Sequence, residues 1–366
     1  MEVRLISGPT SGPEGSLEPL VADVPNLLTR VSALVRPVNP WKDCVAFRQL
    51  TAAFRATAPD IVHTHSGKAG FLGRLAAARA TVPIIVHTIH GPSFGTFYGP
   101  LTNTAFRAAE HLAARFTTHF VVVSDAMREQ YLAAGIGRPD QYTKILSGFQ
   151  LEPLLALKND ATARALFGLG ADDIVIGKIA RLSRLKGHED LFAVAPALIR
   201  SCPRIKFLLV GDGERREKFE HVARLAGLKK HFIFTGLVQP ADVPRAIGLM
   251  DIVVHLSARE GLPRALPQAL AAGKPVVAYD CDGAKEVCLE GETGFLVKPG
   301  DLATLSSRVL HLANDPGLRA RLGSRGSEFV QERFGVAGMV DALYDLYMRL
   351  ARAAGLAKGA IGNPGA

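Results

Sequence analysis

Residues 174–187 read IVIGKIARLSRLKG. A strand-length, mostly apolar run (174–179) is followed by a turn carrying Arg181 and Lys186, and then by Gly187, where a helical period begins. An apolar run of that length suits a strand covered on both faces, as in a parallel sheet. Its passage through a short turn into a helix is half of a βαβ unit. The same alternation extends outward in both directions. In the first half, strands are expected near 3–7, 31–36, 61–65, 84–87, 119–123 and 142–146, with helices near 42–57, 68–80, 99–116 and 124–134. In the second half, strands are expected near 174–179, 206–210, 232–235, 252–256, 275–279 and 294–297. Helices there fall near 189–200, 215–226, 243–249, 263–272, 302–314 and 317–334. The pattern predicts an α/β chain of two doubly wound parallel-sheet domains in tandem, with a substrate cleft between them.

The chain has 366 residues, enough for about two cores of ordinary size. Domain boundaries are expected at 1–150 and 151–335, with 147–160 as connector, a last helix over 336–352 and a disordered Gly/Ala/Pro tail over 353–366. Four scattered cysteines without CxxC spacing exclude a disulfide scaffold and a zinc ribbon, and suit a reducing compartment. The longest apolar runs are strand-sized, and MEVRLISGPTSG carries no apolar core of signal-peptide length. A cytoplasmic protein is therefore expected. Net charge is +9, with 14 basic against 10 acidic residues in 1–150 and 29 against 24 beyond. The excess is spread without a basic run or interleaved aromatics, so no nucleic-acid partner is expected, while attraction to a membrane surface stays open.

Arg181 and Lys186 stand where a strand ends and a helix begins. A fork-shaped guanidinium, a mobile ammonium and the helix amides together suit a diphosphate. Spacing alone serves a solvated basic loop equally well. In FLLVGDGERRE (207–217) a strand, a tight turn with Gly211 and Gly213, and a helix imitate a dinucleotide fingerprint. Arg216 occupies the third glycine position and no acidic residue ends the next strand, so the turn reads as nucleotide-side and not as an NAD site.

In HLSAREGLPRALPQALAAGKPVVA (255–278) a strand delivers Glu260 and the Gly261 amide to a loop, and Pro263 is expected to preorganise the first helical turn. A carboxylate beside helix amides can accept hydroxyl hydrogen bonds while the amides donate to phosphate. The alternative makes Glu260 a favourable charge at a helix N-terminus. His63, His65, His87 and His90 end two strands, but no cysteine or carboxylate completes a metal set, and His90 is the best placed to reach a cleft. Asp280-Cys281-Asp282 imitates a metal-binding DxD and reads instead as a turn with Asp282 as N-cap. Neither GxSxG nor GxxxxGK[ST] occurs. No metal and no cofactor are expected.

In order along the chain, VHTHSGKAGFLGRLAA (62–77), HTIHG (87–91), VVVSD (121–125), IARLSRLKG (179–187), VGDGE (210–214), the Glu260 loop, GKPVVA (273–278) and EGETGFLV (290–297) resemble the retaining, metal-independent glycosyltransferases of family 4. The likeness covers about residues 1–350. It implies the GT-B fold: two Rossmann-like domains, with the final helix crossing back to the first. It also implies that the second domain binds a nucleotide-diphosphate sugar as donor substrate, and the first a glycan or lipid-linked acceptor, with peripheral contact at the inner face of the membrane.

By the same resemblance Arg181 and Lys186 match the cationic pair on the donor diphosphate, and Glu260 the first carboxylate of E-x7-E, which contacts the transferred sugar. Gly261 and Leu262 match the amides near diphosphate and sugar, and His90 the histidine lining the donor-sugar pocket. Gly211 and Gly213 stand at the nucleotide-side turn. Three departures stand out. Gln268 replaces the second Glu, exchanging a hydrogen bond of ~1.5–3 kcal/mol for one of ~0.5–1.5 kcal/mol. Pro263 removes a possible N–H donor. The family also opens with a strand and Gly-Gly loop ahead of the position matched by 2–8, so an N-terminally shortened chain is expected. A sugar-nucleotide epimerase and a catalytically silent sugar-nucleotide-binding protein are the alternative functions on this reading.

Overall fold

The computed structural model describes residues 2–10, 15–157 and 161–356. The tail expected over 353–366 lies outside the described residues from 357 onward, and so do 158–160 of the expected connector. Residues 353–356 continue the final helix by one residue and then turn. Two compact units divide the chain. One runs up to Ile145 and includes the segment from Val340 onward; the other is Leu146–Met339.

In the first unit β1 (Leu5–Ser7) and β2 (Leu28–Arg30) form a parallel pair. Strands β3 (Ile61–His65), β4 (Ile84–Ile89), β5 (His119–Val122) and β6 (Tyr142–Lys144) form a parallel sheet in sequential order. The strand expected at 31–36 lies earlier, at β2. Val31 donates one more ladder bond to Ser7, and then Leu34 N–H bonds back to the Val31 carbonyl and Val35 N–H to that of Ala33. The apolar run therefore buries Val31 and Ala33 through a turn, against Leu50, Phe54 and Val62. The last helix, Val336–Ala353, reaches this unit through Leu346, which is buried, through Tyr347 against His63, and through Arg349 to Thr143 Oγ1 at 3.3 Å.

The second unit holds β7 (Ile174–Ile179), β8 (Ile205–Val210), β9 (Phe232–Gly236), β10 (Ile252–His255), β11 (Val276–Tyr279) and β12 (Gly294–Val297). All pairs are parallel and the order is β12-β11-β10-β7-β8-β9. The chain steps outward from β7 to β9, then returns to lay β10 on the other side of β7. The winding direction thus reverses between β7 and β10, and the crevice beyond the carboxyl ends of those two strands is where such sheets take ligands. Every residue of β10 and β11 is buried, as continuous apolar strands between two helical layers require. The helix expected over 263–272 is Ala265–Ala271, with Arg264 at its N-cap. Pro263 lies before it, so its fixed φ shapes the loop, not the first turn.

Candidate active site at the sheet reversal

The loop after β7 carries Arg181 and Lys186 and ends at Gly187, which caps the helix His188–Ser201 in a left-handed conformation at φ +65°. Three loops are knitted here through backbone contacts. Leu182 N–H donates to the Asp212 carbonyl at 2.9 Å, and Arg215 N–H to that of Leu182 at 3.0 Å. A Cβ on Gly211 would stand 2.3 Å from the Ala180 carbonyl oxygen, and one on Gly213 2.5 Å from that of Leu182. Both glycines are therefore explained by the close approach of two backbones. Ala258 N–H reaches the Leu185 carbonyl at 2.9 Å, joining the loop after β10. Leu185 holds φ +67°, a conformation that costs a side-chain-bearing residue ~1–2 kcal/mol.

Within this frame Lys186 Nζ lies 2.5 Å from Glu260 Oε1, so the expected cation and the expected carboxylate meet. Both side chains are partly open to solvent, and Arg181 is exposed on the same loop. Gly261 and Leu262 are buried just beyond Glu260, and Gln268 is half-buried on the following helix. Asp282 is not the N-cap that its spacing predicts. It begins the short 3-10 turn Asp282–Glu286 with φ +47°, and its Oδ2 accepts the Glu260 backbone N–H at 2.7 Å. Its neighbour Cys281 donates Sγ–H to the Ala258 carbonyl at 2.9 Å. The DxD look-alike is thus a fastening for the loop after β10.

Beneath the Lys186–Glu260 pair lies a polar layer that the sequence reading missed. Lys178 Nζ, both ring nitrogens of His188, His255 Nε2 and Ser257 Oγ are buried with no hydrogen-bond partner among the described residues. Burial, reinforced by the charge of Lys186, lowers the Lys178 ammonium from its ordinary 10.5 to about 7. Burial and then the charges of Lys178 and Lys186 lower His188 to about 3 and His255 well below its usual range. His255 Nε2 stands 3.8 Å from Glu260 Oε1, and as a neutral imidazole it forms no ion pair there. The available signal was Lys178 itself, a lysine inside an otherwise apolar strand.

His90 follows β4 in the first unit and is exposed there. Its Nε2 lies 3.0 Å from His65 Nδ1. His87 is buried, hydrogen-bonded to Thr64 Oγ1 at 2.9 Å, with the ring against Gly70, and burial lowers its pKa well below the usual range. It is a satisfied core histidine.

Comparison with known proteins matches residues 1–145 to the family model described as "Glycosyl transferase 4-like domain" and residues 160–329 to "Glycosyl transferases group 1". The chain is 29% identical over 319 residues to "Putative glycosyltransferase EpsD" of Bacillus subtilis, covering 85% of this chain and 82% of that one. It is 27% identical to "UDP-Gal:alpha-D-GlcNAc-diphosphoundecaprenol alpha-1,3-galactosyltransferase" of Escherichia coli, covering 87% and 82%. The fold is similar to a crystal structure of Anabaena HepE in complex with UDP-glucose, with a TM-score of 0.79, 24% identity, and 94% and 91% of the two chains covered.

Proposed function

Since this chain belongs to the glycosyltransferases of family 4, with the GT-B fold and nucleotide sugars as donors, we propose that it transfers the sugar with retention and without a metal to a hydroxyl of a glycan or lipid-linked acceptor. The observation that carries this is the meeting of Lys186 and Glu260 at the carboxyl ends of β7 and β10. There a carboxylate for sugar hydroxyls and a cation for phosphate stand side by side.

As the bond to the anomeric carbon breaks, the diphosphate gains negative charge. Lys186 and Arg181 neutralise that charge, and preorganised cations of this kind supply much of what lowers such barriers. The Gly261 and Leu262 amides donate near phosphate and sugar, and Glu260 accepts from the sugar hydroxyls. Gln268 accepts from the ribose without charge, and Gly211 and Gly213 line the nucleotide side. His90 addresses the transferred sugar. The acceptor hydroxyl attacks from the face the diphosphate leaves, and a donor phosphate oxygen takes its proton, so no protein nucleophile is formed.

No helix among the described residues is long and apolar enough to cross a membrane. The Escherichia coli relative is named for a diphosphoundecaprenol-linked acceptor. This supports a cytoplasmic placement with peripheral contact at the membrane face. The test is thermal shift and product analysis with UDP-glucose, UDP-galactose, UDP-N-acetylglucosamine and GDP-mannose in the presence of EDTA. One donor is expected to raise the melting temperature by mass action and to yield a product of unchanged anomeric configuration. An inverted product, or turnover that EDTA abolishes and magnesium restores, would overturn the reading.

A further inference from the structure

His63 and His65 stand two apart on β3 and so share a face. Their rings stack at 4.5 Å between centroids and 27° between planes. His65 meets His90 in another way. Those centroids are 5.2 Å apart with planes at 26°, yet the nitrogens Nδ1 and Nε2 are 3.0 Å apart. At that separation two imidazole nitrogens approach so closely only when both lie on the line joining the rings. The contact is therefore edge to edge, a nearly in-plane N–H···N bond. Nitrogens meeting head-on at 3.0 Å have no room between them for a metal, which needs ~2.0 Å to each.

His63 is itself held at both nitrogens. Nε2 bonds Thr88 Oγ1 at 2.6 Å, and Nδ1 bonds the Tyr347 hydroxyl of the last helix. Burial and the neighbouring histidines lower His63 to about 3 and His65 to about 4, so both rings are neutral at pH 7. A neutral ring offers one donor and one acceptor, and the hydrogen bond at one nitrogen decides which is which.

We infer that His65 is a positioning residue for His90: its in-line hydrogen bond, braced by the His63 ring and through it by Tyr347, sets the plane and tautomer in which His90 addresses the transferred sugar. This rests on the role proposed above for His90. Losing such an orienting partner typically costs 10–100-fold in function, as for the outer partners of metal-bound histidines.

The test compares His65→Phe, which keeps a flat ring against His63 but has no nitrogen, with His65→Asn, whose amide falls near the Nδ1 position. Ring 15N spectra of the full chain, labelled at histidine, are expected to show one tautomer for His90 in the native protein and in His65→Asn, and a mixture in His65→Phe. Turnover of the four donors named above is expected to fall about 10–100-fold in His65→Phe at unchanged donor KM, and to recover in His65→Asn. An averaged His90 tautomer in the native protein, or an unchanged one in His65→Phe, overturns the inference. Equal losses in both variants overturn it too, since packing alone would then account for them. Full turnover in His90→Ala, alongside a single His90 tautomer in the native protein that His65→Phe disperses, would instead strike the role proposed for His90.

Discussion

Asp282 Oδ2 accepts the backbone N–H of Glu260 at 2.7 Å, so a residue from the loop after β11 sets the position of the carboxylate delivered by β10. A bond to a charged acceptor contributes ~1.5–3 kcal/mol, and here it is spent on the placement of one loop. Asp282→Ala is expected to lower kcat by about tenfold or more, a barrier change of ~1.4 kcal/mol, while far-UV circular dichroism stays native. Asp282→Asn keeps an acceptor and should retain more of the activity. Equal activity in Ala and native enzyme would show that the loop holds its place without this bond.

The cationic pair gives a second expectation. Lys186→Ala removes the partner of Glu260 and a charge proposed to face the departing diphosphate. Arg181→Ala removes a charge from the same loop. Both should cut turnover by roughly a hundredfold or more, within the range lost when an electrostatic stabiliser of a transition state is deleted. Glu260→Gln should weaken turnover more than folding. Steady-state kinetics beside melting curves decides the matter. Near-normal turnover in either cation variant would remove the diphosphate from this loop.

The order of strands and helices was legible because buried parallel strands are continuous apolar runs and their covering helices are periodic. The β7 and β10 loops could be picked out for the same reason: Arg181, Lys186 and Glu260 interrupt apolar surroundings at strand ends. Illegible features depend on contacts between segments distant in sequence. Asp282 looked like a cap because its tie to Glu260 spans 22 residues. The steric need for glycine at 211 and 213 was hidden because the carbonyls of Ala180 and Leu182 that press on them come from another loop. The strand expected at 31–36 failed because Val31 and Ala33 satisfy the same burial from a turn.

That close approach can be tested directly. A Cβ at Gly211 would meet a backbone oxygen at 2.3 Å, and at φ +134° an L side chain is strained in any case. Backbone cannot swing aside like a side-chain tip. Gly211→Ala is expected to lower stability by about 2 kcal/mol or more, read as a fall in the urea midpoint at constant m-value. An unchanged midpoint would show that the loops part freely.

Lys178 gives a prediction with a sign in pH. Its folded pKa, about 7, lies below the ordinary 10.5, so the unfolded chain holds this proton more tightly. Below pH 7 both states are protonated and the cost of the buried charge is felt in full. Between pH 7 and 10.5 the folded state has released its proton and the unfolded state has not, so stability from this group rises with pH and the cost is gone above 10.5. At 1.36 kcal/mol per unit the full cost is on the order of 3–5 kcal/mol. Lys178→Met keeps the volume and removes the amine. It should therefore raise the melting temperature markedly at pH 6.5 and much less at pH 9.5. Calorimetry at the two pH values distinguishes this from a packing effect, which would be the same at both. A drop in melting temperature at pH 6.5 would mean that the Lys178 ammonium is stabilised by a partner that outweighs its burial.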